Sequence, residues 1–385
     1  MPEPDSARSP ADPAYLVLQG GGALGAYQAG VYEALQAHGY MPEWIAGMSI
    51  GAINAAIIAG NEPDRRIERL HAFWDRASEC LPLDLPVADD TLRRLYSEAS
   101  AAWVAAAGVP GFFGPRFVSP LMALPGTVEA LSFYDTAPLY QSLLELVDFD
   151  VLNSGKVRLS VGAVNVLTGN FIYFDTAQRR IGPEHIMASG ALPPGFPPVM
   201  IDGEPYWDGG LVSNTPLQYV LDTRAPGDAT VFQVDLFSAQ GPMPRTLADV
   251  YQREKDIRYS SRTRLNTDME RELVELRAAA TRIADRLPPE WRDDPDVQTL
   301  AHCREYGAIT LMHLINAGEG FETQSKDYEF SRMTLNGHWS AGKTDAERSL
   351  AHPAWRNRKR HRAGLVSYDL APSGLHEVSI RGATE

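Results

Sequence analysis

Tyr15-Leu16-Val17-Leu18-Gln19-Gly20-Gly21-Gly22-Ala23-Leu24-Gly25 is a short apolar run ending in three consecutive glycines and a fourth close behind. Helical spacing follows through Tyr27, Val31 and Leu35, so the stretch reads as strand, glycine turn and helix. Gly39 ends that helix, Trp44 to Met48 reads as a second short strand, and Ile50 to Ala59 as a buried helix rich in Ala and Ile. Two such units in succession imply a parallel sheet covered by helices.

Further along, Asp64 to Ala77 has helical patterning, and Leu81 to Thr136 is an irregular apolar stretch punctuated by Pro and Gly. Val157 to Val166 and Asn170 to Phe174 alternate around Thr168 and Gly169, the signature of an antiparallel hairpin. Thr230 to Phe237 returns to a buried-strand pattern. Beyond Gly241 the texture changes to charged helix from Leu247 to Arg286, broken by Pro288 and Pro289. Ile309 to Ile315 reads as one further strand and Thr344 to Ala351 as a short helical segment. The expected division is a disordered tail over 1–13, a catalytic domain over 14–240 and a C-terminal extension over 241–385.

Composition narrows the function. The 385 residues carry a formal charge of -14, which would repel a phosphate backbone and disfavours a nucleic-acid partner. Cys80 and Cys303 form no disulfide framework and lack metal-ligand spacing, so both read as buried thiols of a reducing compartment. The first residues are polar and Pro-rich rather than a secretory signal, and no apolar run spans a bilayer, so the default location is cytoplasmic.

Three constellations carry chemistry. Gly47-Met48-Ser49-Ile50-Gly51 is a G-x-S-x-G pattern between a predicted strand and a predicted helix, the context in which a sharp turn exposes a serine hydroxyl. Taken alone it is weak, because a glycine-flanked serine is more often a turn or a helix cap. Gly20 to Gly25 sits where backbone amides converge at a helix start and can hold an oxyanion. Gly20, Gly22 and Gly25 also satisfy a dinucleotide fingerprint, but the second strand runs into Gly47, Met48 and Ser49 instead of ending on an acid. The third element is Asp208-Gly209-Gly210, with Asn214 and Pro216 after it. An Asp before two glycines is usually a turn residue, yet on such a loop it can approach a serine closely enough to take its proton.

In this order the glycine triplet, the G-x-S-x-G pattern and the D-G-G motif resemble the patatin-like phospholipase family, over roughly Tyr15 to Phe237. The likeness includes Ala191 to Val199, with Pro193, Pro194, Phe196, Pro197 and Pro198. It implies a three-layer α/β/α fold with a mainly parallel central sheet, followed by a largely helical C-terminal extension to which no role is assigned. It further implies hydrolysis of lipid carboxylic esters through an acyl-enzyme, by a serine and an aspartate without a histidine. By that resemblance Ser49 is the nucleophile and Asp208 the base, and the oxyanion hole is formed by Gly20, Gly21, Gly22 and Ala23, with the Ile50 amide as an addition. Two departures stand out: Gln19 and Leu24 occupy positions that are acidic and basic in many relatives, which puts a preference for anionic phospholipids in doubt.

Other readings remain open at this stage. An α/β-hydrolase would complete a triad with a late histidine such as His313 or His338, although His313 and His185 read more simply as core histidines. A binding protein on the same fold would use Ser49 only to start a helix. Met48, Ile50, Phe196 and Trp207 are expected to desolvate the base, and Ser97 to Tyr134 reads equally as a lid or acyl pocket and as a packing insertion. The basic run from Trp355 to Arg362 reads as a solvated face before an anionic-membrane contact. Expected partners are a lipid or other ester substrate, with peripheral membrane contact and a homo-oligomer left open. No metal or cofactor is expected.

Overall fold

The computed structural model describes residues 12–80, 89–291, 293–302, 306–318, 322–359 and 364–370. The expected tail, Cys303, Arg360 and Arg362 thus lie wholly or largely outside the described residues. Among the described residues a nine-stranded sheet organises the chain. Its strands are β1 (Ala14–Leu18), β2 (Trp44–Gly47), β3 (Arg158–Asn165), β4 (Phe171–Asp175), β5 (Val199–Ile201), β6 (Glu204–Asp208), β7 (Gly227–Asp235), β8 (Tyr306–Ile315) and β9 (Leu365–Asp369). The order is β9-β8-β7-β1-β2-β3-β6-β5, with β4 paired to β3. From β9 to β3 every pairing is parallel, and β4, β5 and β6 add the antiparallel edge. The sheet is therefore mainly parallel, as expected.

Parallel strands covered on both faces are apolar throughout, and all five residues of β1 are buried. On one face lie α1 (Gly25–Ala37) and α2 (Ile50–Ala59), the latter with every residue buried, as a helix apolar all round must be. On the other face Leu217, Val220 and Leu221 of the helix Leu217–Thr223 close a second cluster with Val17, Ala46 and Val231. The result is three layers.

The division at Gly241 follows composition and not the core. The chain beyond it does begin with a long helix, Leu247–Arg286, and is largely helical. It then returns to the sheet as β8, paired in parallel with β7, and again as β9, a strand absent from the sequence reading. The expected short helix at Thr344 is the end of a longer one, Arg332–Ala351, which lies on α1. There two glycines permit backbone contact: a Cβ at Gly30 would collide with the carbonyl of Trp339, and a Cβ at Gly342 with that of Tyr27. Glu33 accepts hydrogen bonds from Trp339 Nε1 at 2.6 Å and Lys343 Nζ at 2.7 Å across this contact. Met312, Phe330, Leu335 and Trp355 belong to the same buried cluster as Leu16 and Ile53. A boundary drawn at 240 would cut through one hydrophobic core.

Candidate functional site

Ser49 stands between β2 and α2 with φ 54° and ψ -121°, a backbone conformation that a side-chain-bearing residue rarely adopts. The flanking glycines are demanded by crowding. A Cβ at Gly47 would strike the backbone of Gly51, and one at Gly51 the carbonyl of Leu18. The Ser49 amide donates to Ser189 Oγ at 3.1 Å, tying the turn to the end of the helix Pro183–Ser189.

Asp208 ends β6 and is buried. Its Oδ1 accepts the Gly210 amide at 2.7 Å, and its own amide donates to the Ala191 carbonyl at 3.0 Å, joining it to the Pro-rich block. The Ser49 side chain stands close enough to the same carboxyl to favour its charged form. Burial pushes the Asp208 carboxyl up to about 7, against the opposing hydrogen bond from Gly210 and the nearness of the Ser49 side chain. Met48 packs behind both residues, its side chain filling the space that a Cβ at Gly162 or Gly209 would enter. Ile50 and Phe196 line the space in front. Trp207, expected in the same shell, falls between Tyr206 and Asp208 on a strand whose side chains alternate, and does not border that space.

The glycine loop is braced from two distant parts of the chain. The Gly20 amide donates to the Asn214 carbonyl at 3.2 Å, and Asn214 Nδ2 returns a bond to the Gly20 carbonyl at 3.0 Å. The Ala23 amide donates to the carbonyl of Asp327 at 2.8 Å. Both amides, expected in an oxyanion hole, are therefore engaged elsewhere. Among the described residues no acceptor is found for the amides of Gly21, Gly22 and Ile50. Gly22 has φ +54°, and a Cβ there would collide with the same Asp327 carbonyl. Asp327 is held in turn by Lys255, whose Nζ bonds its carboxylate and also the Gln324 carbonyl at 3.0 Å.

The two departures at the loop also find partners. Gln19 Oε1 accepts the amides of Leu236 and Phe237 at 2.6 and 3.1 Å, while its Nε2 donates to Thr215 Oγ1 and the Tyr259 carbonyl. A carboxylate could not make the two donations. Leu24 is fully buried in the core and does not face the site.

Ser49, Asp208 and the glycine loop form one wall of a cavity of about 470 Å³. The opposite wall is apolar, with Phe112, Phe113, Leu192, Phe196 and Phe330. Phe113 and Phe196 meet at 5.1 Å between ring centroids. This volume lies within the range of small-molecule sites. The stretch from Ser97 to Tyr134 thus supplies Val104, Phe112, Phe113 and Tyr134 to the pocket. Asp327 and Phe330 lie outside the sequence reading, which names Asn214 only as a neighbour of the D-G-G motif.

No histidine lines the cavity among the described residues. His313 lies on β8 with Nδ1 3.6 Å from Asp235, and His338 on the helix Arg332–Ala351 with Nδ1 3.7 Å from Glu322. His185 Nδ1 accepts the Gly182 amide at 3.0 Å. Cys80 is buried with a free thiol, pushed up to about 11 by that burial. Arg358, from the basic run, lies over the Trp355 ring at 3.9 Å and donates to its carbonyl.

The family model described as patatin-like phospholipase matches residues 16–221. The chain belongs to the patatin-like phospholipase family. A second model, described as patatin phospholipase, matches residues 257–362, which covers most of the region beyond Gly241. Membership places this patatin-like chain among the lipid acyl hydrolases. Among solved structures it is similar to VipD from Legionella pneumophila, at 15% identity and a TM-score of 0.33, covering 86% of this chain and 68% of that one. No curated protein sequence matches it. Among the described residues no helix is long and apolar enough to cross a membrane.

Proposed function

We propose that this patatin-like chain cleaves carboxylic esters of lipids with Ser49 as nucleophile and Asp208 as its base. The observation that carries the reading is the meeting of the Ser49 side chain with a buried Asp208 carboxyl, at the polar wall of an otherwise apolar cavity. A solvated aspartate, with a pKa near about 3.9, is a poor base at neutral pH. Burial brings Asp208 to about 7, where it takes a proton yet is still ionised in a large fraction of molecules.

In the acylation step Ser49 Oγ bonds to the ester carbonyl carbon and its proton passes to Asp208. The carbonyl oxygen becomes an oxyanion, for which the amides of Gly21, Gly22 and Ile50 are the donors. Engagement of Gly20 and Ala23 elsewhere makes this set narrower than the four residues expected from the sequence. Collapse of the tetrahedral species breaks the bond to the alcohol, which leaves with the proton from Asp208. Water then attacks the acyl-serine, losing a proton to Asp208, and the fatty acid departs as Ser49 recovers that proton. The start of α2 adds its positive dipole end to the same place. The aromatic wall suits an acyl chain, which needs no hydrogen-bond partner.

Labelling with a fluorophosphonate tests the reading. Wild type should be modified at Ser49 and lose esterase activity in step with labelling. Folded protein that hydrolyses lipid esters but remains unlabelled at Ser49 would overturn it.

A further inference from the structure

Between Arg116 and Asp135 the chain carries a single charged residue, Glu129, in a protein whose net charge is -14. This segment does not bury its apolar residues. Phe117 is fully exposed, and Leu121, Met122 and Leu124 are 88%, 82% and 75% exposed. Soluble surfaces rarely concentrate large apolar side chains in this way without a partner for them.

The segment is nonetheless well built. Its base is a two-stranded ribbon of Gly114–Pro115 and Tyr134–Asp135, and Arg116 is spent inside it, donating to the Ser132 hydroxyl at 2.9 Å. The amides of Phe133 and Tyr134 donate to the carbonyls of Pro194 and Gly195 at 3.1 and 2.9 Å, fixing the base to residues that line the cavity. At the tip the backbone turns back on itself in two short helical turns, Pro120–Met122 and Val128–Leu131. Met122, Thr127 and Ala130 amides bond to carbonyls three residues earlier, and Pro120 and Pro125 have no amide to satisfy. These bonds hold the shape of the tip while its large apolar side chains face outward.

We infer that the tip of the 116–133 segment docks the protein on a lipid surface, inserting Phe117, Leu121, Met122 and Leu124 from a base that is bonded to the cavity lining. The surface is a neutral or zwitterionic one. An acidic protein whose docking tip offers no cation gains nothing from anionic lipid, so binding rests on burial of apolar area. That the lipid then enters the cavity as substrate rests on the proposed hydrolase reading, but docking does not.

The test uses the full chain with vesicles of dioleoyl phosphatidylcholine, measured by co-sedimentation, beside hydrolysis of dissolved p-nitrophenyl butyrate. Wild type and Ser49→Ala should both sediment with vesicles, with little change between low and high salt. Leu121→Asp with Leu124→Asp should weaken sedimentation at least about tenfold while butyrate hydrolysis stays within about twofold. Leu121→Phe with Leu124→Phe should restore sedimentation. Wild type that does not sediment, or an aspartate variant that sediments equally well, would overturn the inference. So would an aspartate change that only dissociates a dimer, since the tip would then be an interface between copies. If butyrate is not cleaved by wild type at all, the hydrolase reading fails while the sedimentation result still decides the docking tip.

Discussion

The two walls of the cavity are built on different principles. On the polar wall the backbone around Ser49 and the glycine loop leaves no room for change: a Cβ added at Gly20, Gly22 or Gly51 would collide with a neighbour. On the apolar wall Phe112, Phe113, Phe196 and Phe330 meet edge-on or tilted at centroid distances of 5.1 to 6.0 Å, contacts that another apolar side chain could make. Geometry is enforced where charge would develop in the proposed reaction, and volume alone is supplied where an acyl chain would lie.

If that contrast is right, substitutions on the polar wall should cost far more than those opposite. Ser49→Ala should lower kcat by on the order of 10⁴-fold or more with the fold intact by circular dichroism. Asp208→Asn should fall nearly as far, and the double variant little further, because the two groups act as one unit. A second signature belongs to Asp208 alone. Its folded pKa of about 7 lies above the ordinary value of 3.8, so its contribution to stability is fully present below that ordinary value and is lost as pH rises through about 7. Asp208→Asn should therefore be more thermostable than wild type at pH 8 and no more stable at pH 4, as differential scanning calorimetry would show. In wild type, kcat/KM should rise with pH through an apparent pKa near 7, since the protonated carboxyl cannot accept the serine proton. A flat profile from pH 5 to 8 would remove Asp208 from the role of base.

Gly22→Ala should cost about tenfold to a hundredfold in kcat, because the loop must shift away from Asp327 by more than a near-attack geometry tolerates. Phe196→Ala, on the opposite wall, should raise KM for long-chain esters by about tenfold and leave acetyl esters nearly unchanged; equal loss on both would mean that the wall positions chemistry after all. Smallest of all, His313→Ala and His338→Ala should stay within a few-fold of wild type if folded. A fall by either to the level of Ser49→Ala would restore the histidine-dependent mechanism.

The same contrast explains what could be read before the fold was known. The glycine triplet, the G-x-S-x-G turn and Asp208-Gly209-Gly210 are short because each answers a local backbone demand, so type and spacing alone reveal them. The sheet was legible for a similar reason, since β1 is a continuous apolar run and β7 carries Val231, Phe232 and Val234 at its buried centre. What escaped was set through space. Nothing near Ala23 in the chain announces that its amide belongs to Asp327, and Phe330 reaches the cavity from beyond the long charged helix. That helix also disguised the core's continuation: its charge suggested an appendage, while β9, only five residues long, gave too little pattern to correct the impression.

The paired glycines at Gly30 and Gly342 bear on how this enzyme can be taken apart. Removing everything after residue 240 would strip the cover from α1 and leave β7, buried along nearly its whole length, as an open edge beside β1. An uncovered apolar edge of that kind seeks other strands, so such a fragment should aggregate before it could be assayed. For anyone grafting this activity onto another scaffold, the transferable unit is the complete sheet with its late strands and not the stretch that holds the motifs.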